Sequence, residues 1–129
     1  MLYQSLLLVG LGGFLGSSTR FLVSVGTARW LPGYFPYGTF LVNVIGCFLI
    51  GILYGLWGKD VISGSASRLW ITGFCGGFTT FSSFSYDGIW LLEEGHLVTF
   101  GGYTLGSVAV GLVATYLGLM MVRLMQGQG

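Results

Sequence analysis

Four long apolar stretches follow one another along the chain, separated by short polar connections. A helix rises about 1.5 Å per residue, so roughly 20 residues cross the hydrocarbon core of a bilayer. Short connections place consecutive helices side by side and antiparallel. The pattern predicts an all-α membrane protein with one domain over residues 1–129. Its four transmembrane helices are expected at about 3–31, 37–57, 69–92 and 98–125.

Residues typical of turns mark the connections between these stretches. Pro32 and Pro36 separate the first two spans. Lys59, Asp60 and the Ser/Gly-rich segment up to Ser67 are predicted to form the second connection. The third span is predicted to end at the polar residues 93–96. No separate signal peptide is expected before the first span, which is too long for the apolar core of a signal peptide.

The composition also indicates a lipid environment. Hydrophobic residues make up 53% of the 129 residues and charged residues 7%, against about 25% charged in an average soluble domain. A net charge of +1 creates no field that would collect nucleic acid. Cys47 and Cys75 fit neither a zinc spacing nor a disulfide framework, which favours a packing role. Because the sequence shows no nucleophile, base or metal-ligand cluster, we expect no enzyme.

The cationic residues leave two orientations open. With four spans, Lys59, Arg68 and Arg123 lie on the side of the termini, and Arg29 lies on the other side, with Arg20 if its side chain reaches that interface. This bias is weak under the positive-inside rule. The chain is therefore expected either to insert one way or to insert both ways and form an antiparallel dimer.

Glycine is unusually frequent, with 24 residues in the chain. Small residues four positions apart let membrane helices approach closely, because lipid gives no hydrophobic force between helices. Such spacing predicts a tightly packed bundle and an oligomer. The pairs are Gly12/Gly16, Gly51/Gly55, Gly73/Gly77 and Gly102/Gly106.

Two polar faces lie within the second and fourth spans. Uncharged donors suit a dehydrated anion that must bind and leave quickly, whereas a Lys or Arg would hold it too tightly. Hydrogen bonds that merely join the helices, or that return to the same helix, are the alternatives. The faces are Thr39, Asn43 and Cys47 on the second span, and Tyr103, Ser107, Gly111 and Thr115 on the fourth.

In the third span, residues 76–80 are two glycines, one phenylalanine and two threonines. This composition weakens a helix, so we expect the helix to break there in mid-membrane. Carbonyl groups freed by such a break can hold a cation. Beyond it, Phe81 and Phe84 share a helix face, and positive ring edges could stabilise a small anion. Contact with lipid or with the core is the alternative for both rings.

Three ionisable residues have open roles. Arg20 could reach an interface, attract anions or pair with an acid. Asp87, one turn beyond Phe84, could play the same parts with the opposite charge. His96 lies beside two glutamates and is expected to be a solvated residue rather than a proton relay.

Three motifs resemble those of the Fluc (CrcB) fluoride channels, in the same order and at the same spacing. GGFTTFSSF at residues 76–84 resembles the family's third-helix signature. GTFLVNVIG at 38–46 resembles the second-helix motif, and GSSTR at 16–20 resembles the first. The chain departs from the pattern at Ser83, where the family usually has Thr. It also departs at Gly111, where some members have Ser.

The resemblance implies a fluoride-selective channel for passive fluoride export and resistance to fluoride toxicity, located in a bacterial-type inner (plasma) membrane. It implies an antiparallel, dual-topology homodimer with two pores. It also implies a structural sodium ion at the dimer centre, held by main-chain carbonyls of Gly76 and Thr79. Arg20 would lie at the vestibule. The alternative is a small four-span proton-coupled exporter. The implied pore residues are Asn43, Phe81, Ser82, Phe84, Tyr103 and Ser107, and further candidates are Thr39, Thr80 and Thr115.

Overall fold

The computed structural model describes residues 1–127, and every regular element in that range is helical, as predicted. The final two residues of the predicted domain lie outside the described range. Three of the helices, α1, α2 and α6, are long and apolar enough to cross a membrane. The elements are α1 (Leu2–Trp30), α2 (Tyr37–Gly58), α3 (Gly64–Ser67), a π-helix (Arg68–Cys75), α4 (Gly76–Phe78), α5 (Phe81–Glu93) and α6 (Leu97–Met125).

The third helical region begins earlier than the sequence pattern predicted. The Ser/Gly-rich segment before Ser67, expected to be a connection, instead forms the helical turn α3. The reason is a helix cap: the Ser63 hydroxyl accepts a hydrogen bond from the Ala66 amide at 3.1 Å. The helix then continues through the π-helix and α4 as far as Phe78.

The predicted interruption of the third helix is present, and it lies at the threonines. Thr79 (φ −81°, ψ 157°) and Thr80 (φ −151°, ψ 120°) are extended, whereas Gly76 keeps helical angles (φ −61°, ψ −37°). Branching at Cβ favours extended backbone, so the threonines leave the helical conformation more readily than the glycines. The Thr80 hydroxyl then caps α5 by accepting from the Ser83 amide at 3.2 Å.

Glycine contacts hold α1 against the first half of the broken helix. A Cβ on Gly12 would overlap the Leu69 carbonyl oxygen, and a Cβ on Gly16 would overlap the Phe74 carbonyl oxygen. A Cβ on Gly77 would lie 2.7 Å from the Gly13 carbonyl oxygen. The two backbones therefore touch, which requires glycine on both sides.

A second glycine contact joins α2 and α6. A Cβ on Gly51 would overlap the Thr115 carbonyl oxygen, and one on Gly118 would overlap the Phe48 carbonyl oxygen. The pair Gly102/Gly106 differs, because within the described chain no atom lies within 4 Å of a Cβ built on either residue. That predicted seam has no partner inside the described chain.

Replacing Gly12 with alanine should lower the free energy of unfolding by about 1–3 kcal/mol, because the added methyl group must push α1 away from the π-helix. The control is Gly10→Ala, two residues away, where a Cβ meets nothing within 4 Å. Both changes raise helix propensity equally. Unfolding by sodium dodecyl sulfate in mixed micelles measures the difference. Equal stability of the two variants would contradict the close contact.

Candidate functional site

A groove of about 400 Å³ runs along the break in the third helix. It lies between α2, the broken helix and the middle of α6. None of its lining residues is charged. Most of its lining is apolar or main-chain, with a few hydroxyl, amide and thiol groups. The lining residues are Asn43, Gly46, Cys47, Ile50, Cys75, Gly76, Thr79, Thr80, Phe81, Phe84, Ser107 and Val108.

The Asn43 side chain holds the break together. Its Nδ2 donates to the Thr80 carbonyl at 3.0 Å, and its Oδ1 accepts from the Thr80 amide at 2.8 Å. In an unbroken helix that amide would bond the carbonyl of Gly76, four residues earlier. Asn43 therefore binds both the N–H and the C=O of Thr80, and the second hydrogen of its Nδ2 stays available.

Three aromatic rings form a row beyond the break. The Phe81 and Phe84 ring centroids are 5.7 Å apart with planes at 49°, and those of Phe84 and Tyr103 are 5.2 Å apart at 51°. Phe81 is 80% exposed, Phe84 is half-buried and Tyr103 is fully buried. The row therefore runs from the interior of the chain to its surface, and the tilted rings present edges as well as faces.

Tyr103 anchors the buried end of this row. Its hydroxyl donates to Asp87 Oδ2 at 3.0 Å. Neither Tyr103 nor Thr39 lines the groove. The bond between Tyr103 and Asp87 joins α5 and α6 behind Phe84, so it fixes the position of that ring. Asp87, whose role the sequence left open, is the acceptor that orients the phenol.

Arg20 contacts the opposite side of the broken helix. Its Nε donates to the Gly77 carbonyl at 3.0 Å. In a continuous helix that carbonyl would accept from the amide of residue 81, and the break removes this partner. The cation also lies near the negative end of the first half-helix, where a positive charge is stabilising. The structure adds a contact that was not among the three roles left open for Arg20, a bond to a main-chain carbonyl, and the vestibule position stays a prediction.

The remaining hydroxyl groups divide between the groove and the helices around it. Ser107 lines the groove, and its Oγ is buried without a hydrogen-bond partner in the described chain. Thr115 instead donates to the Cys47 carbonyl at 3.1 Å. Ser82 is exposed on the first turn of α5, with its Oγ 3.3 Å from Thr80 Oγ1.

His96 is partly exposed and makes aromatic contacts that the sequence did not predict. Its ring stacks on Tyr34 with centroids 3.8 Å apart and planes at 27°, and Trp90 lies 6.0 Å away. The residue is half-buried and immediately precedes α6. The stack joins the loop before α2 to the loop before α6, and neither of its two residues lines the groove.

Comparison with known proteins places the chain in a family. A family model described as "CrcB-like protein, Camphor Resistance (CrcB)" matches residues 7–119. The chain belongs to the CrcB-like family. It is 47% identical over 120 residues to a protein of Chlorobium luteolum named "Fluoride-specific ion channel FluC", covering 92% of each chain. It is 46% identical over 122 residues to a protein of the same name from Prosthecochloris aestuarii, covering 94% of each.

A third relative, the protein named "Fluoride-specific ion channel FluC" from Nitrobacter winogradskyi, is 41% identical over 124 residues. The match covers 95% of this chain and 98% of the relative. The family resemblance found in the sequence motifs is therefore confirmed. With its long apolar helices, this CrcB-like chain is a multi-pass membrane protein of an ion channel family and not an enzyme.

The structure gathers part of the expected site of this CrcB-like protein into the groove and leaves the rest outside. Sequence reasoning did not find the contacts of Asn43 with Thr80 or of Arg20 with Gly77. A signal for the first was present, since a hydrogen bond between helices was one of the two interpretations left open for Asn43. Nothing in the sequence indicates the second. The groove contains Asn43, Gly76, Thr79, Thr80, Phe81, Phe84 and Ser107, and the residues outside it are Arg20, Thr39, Ser82, Tyr103 and Thr115.

Replacing Asn43 with leucine should loosen the break, because both main-chain groups of Thr80 lose their partner, at about 1–3 kcal/mol for each buried group. Hydrogen exchange followed by mass spectrometry on peptides covering residues 76–84 should show faster exchange. The matched control is Thr39→Val, one turn earlier on the same helix face, which removes a hydroxyl without touching Thr80. Unchanged exchange in the leucine variant would show that Asn43 does not hold the break.

Proposed function

We propose that this chain is a fluoride-selective ion channel that exports fluoride passively from the cytoplasm and gives resistance to fluoride toxicity. The observation that carries the proposal is the uncharged groove at the break, with an amide, hydroxyls and aromatic rings in its lining. The relatives at 41–47% identity are named fluoride-specific ion channels. Fluoride leaving down its gradient needs a path and no energy source.

The groove residues suit a small, strongly hydrated anion. The second Nδ2 hydrogen of Asn43 and the hydroxyl of Ser107 are donors that replace water around the ion. The rings of Phe81 and Phe84 supply positive edges without a formal charge. Because no lysine or arginine lines the groove, an ion that enters is not held tightly and can leave. A narrow path with compact donors disfavours larger halides.

Four spans and an antiparallel homodimer in the bilayer are part of this proposal. Residues 64–78 and 81–93 together give a third crossing between α2 and α6, although the break divides it. Two features favour a second copy of the chain as partner. Phe81 is 80% exposed, and the Gly102/Gly106 seam has open space where a helix could pack. One groove in each subunit would give two pores in a bacterial-type inner membrane.

A structural sodium ion at the dimer centre is the next part of the proposal. The residues fit such an ion, because the Thr80 amide is diverted to Asn43 and no longer occupies the Gly76 carbonyl. Thr79 is extended, so its carbonyl also leaves the helical pattern. Gly76 and Thr79 would hold the ion through these oxygens, and the ion would supply positive charge that ties two breaks together. Within residues 1–127 no cluster of three His, Cys, Asp or Glu residues competes for a metal.

The proton-coupled exporter is less well supported. Coupling requires a carboxylate on the transport path that can gain and lose a proton. Asp87 accepts the hydrogen bond of Tyr103 and does not line the groove. An ion in the groove therefore meets no titrating carboxylate there.

Purified protein in liposomes should release fluoride at a rate that does not depend on a proton gradient. Replacing Phe81 or Phe84 with isoleucine should abolish this efflux, because the side chain keeps its bulk but loses the ring edge. Phe14→Ile is the control, since Phe14 is an exposed aromatic residue on α1, outside the groove. A fluoride electrode measures all four proteins.

Two results would count against this function. Efflux that strictly requires a proton gradient would favour the exporter. Normal efflux in both isoleucine variants would remove the rings from the mechanism.

A cysteine at residue 61 tests the antiparallel arrangement. Val61 lies between α2 and α3 and is 56% exposed. If half of the subunits insert each way, a membrane-impermeant maleimide should label about half of Val61→Cys from outside intact cells and the rest after permeabilisation. The unaltered chain, with Cys47 and Cys75 only, measures background labelling. Labelling from one side alone would contradict the dual topology.

A further inference from the structure

The two cysteines, which the sequence assigned to packing, both line the groove. Cys47 lies one turn beyond Asn43 on the same face of α2, so its thiol follows the amide along the groove. Both thiols are free. A thiol is a weak hydrogen-bond donor and behaves otherwise as a small apolar group. Its position, rather than its chemistry alone, decides whether it can meet an ion.

The Cys47 thiol lies against Gly111, the position on the polar face of α6 that has no side chain. A Cβ built on Gly111 would lie 3.4 Å from Cys47 Sγ, an ordinary contact distance, and no other atom lies within 4 Å of it in the described chain. The sulfur therefore lies against the place from which a side chain at residue 111 would extend. Ser107, one turn earlier on α6, has a buried Oγ without a partner in the described chain.

Thr115 cannot supply the missing donor in this arrangement. Its single hydroxyl hydrogen is donated to the main-chain carbonyl of Cys47 at 3.1 Å. The bond ties α6 to α2 next to the thiol and leaves Thr115 with no hydrogen for the groove. On α2 and α6, the Ser107 hydroxyl and the Cys47 thiol are then the donors that remain at this end, and the Cys75 thiol lies across the groove on the π-helix.

We propose that Cys47 supplies, through its S–H, the anion-contacting donor that Gly111 lacks, and that Cys47 with Ser107 forms the far end of the ion path from Phe81. This proposal rests on the proposed fluoride channel function. It makes the path of this chain sensitive to thiol-specific reagents, because a group added to Sγ would occupy the space over Gly111.

Fluoride efflux from liposomes tests this assignment with three variants. Cys47→Ala should slow efflux about tenfold, the effect of losing one hydrogen bond to the ion. Cys47→Ser should keep efflux near that of the unaltered protein, because a hydroxyl donates from the same place. Adding Gly111→Ser to Cys47→Ala should restore efflux by supplying the donor from α6. Elution of each variant by size exclusion confirms that it is folded.

Methyl methanethiosulfonate is the second probe. It should block the unaltered protein and Cys75→Ala, and it should not block Cys47→Ser. Equal efflux in Cys47→Ala and the unaltered protein, or block of Cys47→Ser at the unaltered rate, would overturn the role of Cys47 alone. Absence of fluoride efflux from the unaltered protein would instead overturn the channel function on which it rests.

Discussion

Main-chain groups that leave a helix inside a membrane have no water to bond, so each must find a partner in the protein. The break at residues 79–80 meets this requirement through side chains from two other helices. Asn43 on α2 binds both the N–H and the C=O of Thr80, and Arg20 on α1 binds the carbonyl of Gly77. The open backbone at the groove depends on these bonds. Without them these main-chain groups would be left without partners inside the membrane.

The arginine contact depends in turn on the glycine seam. A single extra methyl group at Gly12 or Gly16 would overlap main-chain oxygens of the broken helix, and α1 would have to move outward. Arg20 lies one turn beyond Gly16, so its reach to the Gly77 carbonyl is set by how closely the two backbones approach. Close packing therefore does more than stabilise the bundle. It places a cation at the end of a half-helix, against the Gly77 carbonyl that the break leaves without its helical partner.

The sequence predicted the helical class, both ends of the three long helices α1, α2 and α6 to within one residue, and a break in the third helical region. These follow from local properties: run length, turn residues and branching at Cβ. It did not predict the start of α3 at Gly64, where one capping hydrogen bond from Ser63 outweighs a turn-like composition. Nor did it predict that Tyr103 is bound by Asp87 behind the groove. Such contacts depend on how helices rotate against each other, and a small rotation decides which of two neighbouring polar residues faces inward.

The same distribution of contacts explains why the groove is neutral although charged residues lie near the spans. The Arg20 side chain binds the Gly77 carbonyl on the opposite side of the broken helix. The Asp87 carboxylate binds the Tyr103 phenol behind Phe84. What remains facing the groove is partial charge: an amide hydrogen, a hydroxyl, thiols and ring edges. Asn43 takes part in both the break and the groove. One of its N–H groups and its oxygen bind Thr80, and its second N–H has no partner among these bonds. The residue that holds the break open is thus also a donor within the groove, so a substitution at that position changes both.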